Sequence, residues 1–368
     1  MTAPVSVDDY AAAAARVLPR PVRDFIDGGS GAELTMAANR AALDRVAVVP
    51  RVLTGAAEPA TATDLAGARA ELPLAVAPMA YQRLVHPDGE TAVAAAAAAA
   101  GVPFTVSTFS SVPVEELTAL GGVTWFQLYW LRGARAVVRL VRRAEDAGCA
   151  ALMVTVDVPE MARRPRDLRN GFTLPDGVRA AHLDEPVPGR AHRHGAGRSA
   201  VGEHTKEILD PRCDWDDLRR LRQLTRLPLI VKGILDHRDA VRAADLGANA
   251  VVISNHGGRQ LDGAAATADM LPAACDALAG RCPLLLDSGI RSGTDVLKAL
   301  ALGAQGVLLG RPVLWGLATG GQDGVRGVLD LVDRELRCAL TLAGCSDAAA
   351  ARRLRVSGRD GDRKGVPA

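Results

Sequence analysis

Apolar residues along this chain come chiefly in short unbroken runs, not in alternation with polar ones. Eight runs stand out, set off by Gly or Pro: 72–77 (LPLAVA), 102–107 (VPFTVS), 123–129 (VTWFQLY), 150–156 (AALMVTV), 228–232 (PLIVK), 249–254 (NAVVIS), 283–287 (PLLLD) and 305–309 (QGVLL). A run of this length with no polar face suits a strand covered on both sides, as in a parallel sheet. Between most runs the pattern changes to helical spacing closed by glycine, as in AVVRLVRRAEDAG after the third, RDAVRAADLG after the fifth and GTDVLKALALG after the seventh. Glycine there takes the left-handed turn that stops a helix. Strand and helix alternating eight times predict an α/β fold, a (β/α)8 TIM barrel built as one domain over 1–368.

Three stretches stand apart from this alternation. The connection 157–227 is far longer than the few residues usual in such folds and is rich in Pro, Arg, His and Gly, which predicts an active-site cover. Residues 1–50 predict a helical segment packed on the barrel, and 355–368 (RVSGRDGDRKGVPA) a flexible tail. The alanine-rich GETAVAAAAAAAG reads as a helix closed by Gly101, not as low complexity.

Composition narrows the partners. With 368 residues and 48% hydrophobic content, the chain can bury a large core. Its 44 basic and 42 acidic residues nearly cancel, so no net field favours nucleic acid or a membrane surface. No apolar run approaches the roughly 18 residues of a membrane span, and the opening MTAPVSVDDYAAAAARVLPR lacks the pattern of a secretory leader. A cytoplasmic protein is the expectation. Cys149, Cys213, Cys275, Cys282, Cys338 and Cys345 form no C-x-x-C pair, so buried thiols are expected, without a metal site.

In a barrel of this kind the active site forms where the strands end. Those ends carry Ala77, Pro78, Met79 and Ala80 after the first strand, Ser107 after the second, Gln127 and Tyr129 on the third, and Thr155 and Asp157 on the fourth. The second half adds Lys232 on the fifth, Ser254, His256 and Arg259 after the sixth, Asp287, Gly289 and Arg291 after the seventh, and Gly310 and Arg311 after the eighth. Within SNHGGRQLDG (254–263), His256 and Arg259 make either a tight turn that happens to carry charge or a base and an anion clamp in one loop. An unpaired lysine at the end of a buried strand, as Lys232 reads, is costly without a task. The glycine-containing turns after strands seven and eight each hold an arginine, where this fold commonly binds phosphate.

SNHGGRQLDG, DSGIRSGTDVLKALALGAQGVLLGRP, WFQLYW, VTVDVP and LAVAPMA together resemble, in order and spacing, the FMN-dependent α-hydroxy-acid oxidase and dehydrogenase family. The resemblance spans residues 5–350, and the family includes glycolate oxidase, lactate oxidase and mandelate dehydrogenase. It implies FMN as cofactor, a small α-hydroxy acid and O2 as partners, and a homo-oligomer, tetramer or octamer. It implies that His256 takes the substrate proton while Asp157 fixes the imidazole tautomer and stabilises the imidazolium. Arg164 and Arg259 would clamp the carboxylate, and Tyr129 would donate a hydrogen bond to the carboxylate or hydroxyl. For Arg164, within EMARRPRDLRNG, a solvated basic run competes with this reading; for Tyr129, core packing does. For FMN, the resemblance implies Lys232 near N1 and O2, where its charge stabilises the reduced ring. Ser107, Gln127 and Thr155 would lie at the ring edge, the backbone of Ala77 to Ala80 along its face, Ser254 and Asp287 nearby, and Gly289, Arg291, Gly310 and Arg311 at the phosphate.

Departures from the family pattern bear on specificity. Phe25 stands where many members have a tyrosine, and Phe109, in STFSSVP, where the family has an indole. With Met161 and Tyr129 these predict an apolar pocket that suits an aryl side chain. The expected reaction is oxidation of (S)-4-hydroxymandelate with O2 to 4-hydroxybenzoylformate and H2O2, a step toward hydroxyphenylglycine in glycopeptide antibiotic synthesis. L-lactate or glycolate oxidation, or mandelate dehydrogenation, by the same mechanism is the alternative.

Overall fold

The computed structural model describes residues 4–183, 191 and 199–357. Each apolar run is a strand: β1 Leu74–Val76, β2 Phe104–Ser107, β3 Thr124–Leu128, β4 Ala151–Thr155, β5 Leu229–Ile234, β6 Ala250–Ile253, β7 Leu284–Leu286 and β8 Gly306–Leu309. They pair in parallel in sequence order, and β8 returns to β1 to close the barrel. Alternate side chains serve two cores. Leu74, Val76, Val106, Leu152 and Val154 pack with the surrounding helices, while Ala75, Trp125, Met153, Ile230, Val252, Leu285 and Leu308 fill the interior. Neither face meets water, which is why the strands carry no polar alternation.

The predicted helices follow their strands. The alanine run forms Gly89–Ala99, packed against the long helix Arg311–Leu342. One element had no forecast: an antiparallel hairpin, Thr63–Leu65 with Ala68–Ala70. Its Leu65, Ala66 and Ala70 join the interior cluster, and a Cβ on Gly306 would lie 2.7 Å from the Leu65 Cδ2. The hairpin therefore plugs the end of the barrel where β8 starts, leaving the strands' far ends as the mouth.

The flanking segments depart from expectation in two places. The 157–227 connection contains helices Pro165–Asn170, Ala200–Ile208 and the barrel helix Trp215–Leu224; its residues 184–190 and 192–198 lie outside the described residues. Arg355–Ser357 is not part of a flexible tail, because its extended backbone pairs antiparallel with Ala47–Val49; residues 358–368 lie outside the described residues. Helices Val7–Val17, Arg20–Asp27 and Leu34–Arg45 form the N-terminal segment. The six cysteines form no disulfide; Cys149, Cys282 and Cys345 are buried as expected, but Cys213 and Cys275 are half-buried and Cys338 is exposed. Among the described residues no helix is long and apolar enough to cross a membrane.

Candidate active site

The strand ends open into one cavity of about 1330 Å³, counting its mouth. Its lining includes Ala77, Pro78, Met79, Ala80, Ser107, Lys232, Asp287, Gly289, Arg291, Gly310 and Arg311, with Phe25, Phe109, Tyr129, Met161, Arg164, His256 and Arg259. Four predicted residues stand behind that lining and touch it. Asp157 bonds His256, Gln127 accepts from Ser107, Ser254 accepts from Lys232, and Thr155 lies opposite Lys232 in the β4–β5 ladder.

His256 Nδ1 lies 3.1 Å from Asp157 Oδ1. The histidine has φ 59°, a left-handed conformation rare outside glycine, and its N–H donates to Ser254 Oγ at 3.1 Å. Asp157 reaches it across a bulge in β5 at Gly233, where a Cβ would sit 2.6 Å from the Asp157 Cγ. Burial pushes the imidazole pKa down; Asp157 opposes this, Lys232 and Arg164 reinforce it, and the net shift is downward. For Asp157, burial favours the acid, but His256 and then Lys232 outweigh it and hold the carboxyl below its ordinary range. The resting pair is thus a neutral imidazole whose Nδ1–H donates to a carboxylate, with Nε2 making no hydrogen bond to a described residue.

Lys232 is not the unpaired lysine that its place on a buried strand suggests. Its Nζ lies 3.0 Å from Asp287 Oδ2 and donates to Ser254 Oγ at 2.9 Å. Burial would lower its pKa, yet Asp287 and Asp157 carry it upward, so the ammonium is permanent. Ser288, absent from the sequence reading, donates to Asp287 Oδ1 at 2.8 Å and accepts from Gly257 N at 3.0 Å, tying the β7 loop to the histidine loop.

The arginines stand differently. Arg164 is 7% exposed and its guanidinium forms no hydrogen bond or ion pair with any described residue, so it does not belong to a solvated basic run. Arg259 Nη1 donates to the carbonyls of Phe25, Ile26 and Gly28 at 2.8, 3.2 and 2.7 Å. Arg311 donates to the carbonyls of Ile26, Gly28 and Gly257 at 3.1, 3.1 and 3.0 Å. Both therefore cap the end of helix Arg20–Asp27, where unsatisfied carbonyls and the negative dipole end attract cations. Arg291 lies over the Trp315 ring, 4.9 Å from its centroid. Burial lowers the pKa of all four. Arg259's charge adds to the pressure on Arg164 and Arg311, and Arg40's to that on Arg291.

An aromatic wall completes the cavity. The Phe109 centroid lies 5.4 Å from Tyr129 and 5.9 Å from Tyr81, and Phe25 stacks on Phe172 at 4.4 Å. Tyr81 and Phe172 were not foreseen; the one available signal was Tyr81's place directly after the segment that ends β1. The Tyr129 hydroxyl makes no hydrogen bond to a described residue, and burial, then Asp157, pushes its pKa up to about 12. It stays protonated and free to donate.

The floor has the donors and space that a flavin requires. Gln127 Nε2 and Thr155 Oγ1 are buried and find no partner among the described residues. A Cβ on Gly310 would meet nothing nearer than Ala77 Cβ at 3.8 Å and Met79 Sδ at 3.9 Å, so the backbone there is open to close approach. Gly310 also heads the helix Arg311–Leu342, beside the half-buried Arg291 and Arg311, a setting fit for a phosphate.

The chain matches the FMN-dependent dehydrogenase family over residues 14–357 and belongs to it; FMN is its cofactor. It is 55% identical to 4-hydroxymandelate oxidase of Amycolatopsis orientalis, over 96% of this chain and 98% of that protein. It is also 44% identical to L-lactate oxidase of a Nostoc species, over 94% of this chain and 96% of that one. The crystal structure of mandelate oxidase with (S)-4-hydroxymandelic acid is similar, with a TM-score of 0.94 at 54% identity over 96% of this chain and 99% of that one.

Proposed function

We propose that the chain oxidises an aryl α-hydroxy acid, (S)-4-hydroxymandelate, to 4-hydroxybenzoylformate, with O2 reduced to H2O2. The observation that carries this reading is Arg164: a buried guanidinium with no hydrogen bond or ion pair among the described residues, on a cavity lined also by Tyr129, Phe109 and Phe25. The site lacks one anion and offers an aromatic wall, which together describe an aryl carboxylate. Similarity to an oxidase of 4-hydroxymandelate supports the same substrate.

In this reading Arg164 and the free face of Arg259 hold the carboxylate, and the Tyr129 hydroxyl donates to it or to the substrate hydroxyl. His256 Nε2 then takes the hydroxyl proton, and Asp157 stabilises the imidazolium that forms. FMN, when bound, would supply the two-electron acceptor: the carbinol C–H hydrogen would leave to it with its electron pair, and return of those two electrons to O2, with that hydrogen and the proton held on His256, would give H2O2. Lys232, Ser107, Gln127 and Thr155, with Ser254 and Asp287 behind Lys232, would hold its ring against the backbone of Ala77 to Ala80. Gly289, Arg291, Gly310 and Arg311 would hold its phosphate. Phe25 and Met161 shape the pocket for the substrate's ring.

Anaerobic mixing of the FMN-loaded protein with (S)-4-hydroxymandelate, (S)-mandelate, L-lactate and glycolate tests this by loss of flavin absorbance. The mandelates should react with the highest kcat/KM, and peroxide should accumulate in air. A preference for lactate or glycolate overturns the substrate; fast bleaching without peroxide overturns the oxidase assignment. The family resemblance further supports a single catalytic domain working in the cytoplasm as a tetramer or octamer, within hydroxyphenylglycine supply for glycopeptide antibiotics. Light scattering on the purified protein tests the assembly.

A further inference from the structure

Glu90 has no solvent exposure and touches neither the base nor the arginines. Its Oε1 accepts from Gln82 N at 3.0 Å, from Ser111 N at 2.8 Å and from Ser111 Oγ at 3.3 Å. Gln82 lies in the loop after β1, Ser111 in the loop after β2. The same seam is held by Tyr81 N donating to the Phe109 carbonyl at 3.0 Å and Arg83 N donating to Ser111 Oγ at 3.4 Å. Those loops carry two of the five rings of the aromatic wall, Tyr81 and Phe109. Tyr81 sits at φ 53°, a conformation a bulky residue keeps only where its surroundings over-determine it.

We propose that Glu90 is a positioning residue that sets the preference for aryl substrates: it clips the loops after β1 and β2 together and so fixes the wall formed by Tyr81, Phe109 and Tyr129. This rests on the aryl-acid reading above. A small acid is held by its carboxylate and carbinol and needs little of the wall, whereas an aromatic ring packs on it. Loosening the clip therefore costs the aryl substrate most. The site favours the protonated form of the carboxyl. Burial pushes its pKa up, and its Oε2 and the Gln82 Oε1 are both buried without a partner among the described residues. A proton on Oε2 supplies a donor where none is otherwise present.

Glutamine is the isosteric neutral replacement, which makes rescue the deciding readout. With FMN-loaded wild type, E90Q, E90D and E90A, kcat/KM is measured for (S)-4-hydroxymandelate and L-lactate. E90Q should keep the wild-type ratio within about twofold, while E90D and E90A lower it by about tenfold through the KM for mandelate, with FMN content unchanged. E90D shortens the reach by one methylene and serves where E90A fails to fold. An unchanged ratio in E90D and E90A, or a collapse in E90Q equal to theirs, overturns the proposal on its own. A wild-type protein that prefers lactate overturns the aryl reading, and this inference with it.

Discussion

The two ends of the cavity differ in how their charges are balanced. At the base end every ion has a partner: His256 with Asp157 at 3.1 Å and Lys232 with Asp287 at 3.0 Å. At the other end Arg259 meets carbonyls and the Phe25 ring, Arg311 carbonyls, Arg291 an indole face and a carbonyl, and the Arg164 guanidinium has no hydrogen bond or ion pair among the described residues. Burying an ion without its partner costs several kcal/mol, a cost that an arriving anion offsets. The paired end is chemistry held in geometry before any ligand enters. In our reading the unpaired end is a binding site, and its missing charges define what it would bind: FMN's phosphate and a carboxylate.

Breaking the paired end should have the largest effect. H256A should keep FMN bound and slow anaerobic flavin bleaching by about 10²–10⁴-fold; bleaching at a near wild-type rate would remove His256 as the base. At the unpaired end, R164M should cost about 10²-fold in kcat/KM, carried mainly by KM, with flavin binding intact. A pure kcat effect would mean that Arg164 does not hold the ground-state carboxylate.

The pH profile sharpens the contrast more gently. The base works as neutral imidazole and burial lowers its pKa, so kcat/KM should fall with acid only below the ordinary histidine value of about 6.5. D157N removes the group that raises that pKa, so the limb should move further to acid while the rate drops about tenfold or more. A limb that stays in place in D157N would uncouple the pair. The smallest change is F25Y, which adds a hydroxyl beside the arginines and should shift the mandelate-to-lactate ratio toward lactate by about two- to threefold. A shift the other way would place the substrate ring elsewhere.

Much of this was readable in advance, for identifiable reasons. Strands covered on both faces leave unbroken apolar runs, so β1 to β8 were visible with their ends. A barrel gathers its strand ends at one mouth, and the family resemblance paired His256 there with Asp157, 99 positions away in sequence. The hairpin at the barrel floor and the pairing of Ala47–Val49 with Arg355–Ser357 were not visible, since three-residue strands show no period. Nor was the counter-ion of Lys232, because a sequence shows a charge but not its neighbour. The capping of helix Arg20–Asp27 by Arg259 and Arg311 was equally hidden: its acceptors are backbone carbonyls, which every residue has.

That helix follows closely on the start of the chain, and the clasp between Ala47–Val49 and Arg355–Ser357 joins strands about 300 residues apart. Contacts so distant in sequence form late in folding. During synthesis the clasp must wait for nearly the whole barrel to leave the ribosome, and until then the N-terminal segment is held without it. A chain stopped short of Arg355 would thus have its strand ends but not the tether next to the segment that offers Arg259 and Arg311 their carbonyls. The clasp is thus a tether that only a chain reaching Arg355–Ser357 can close.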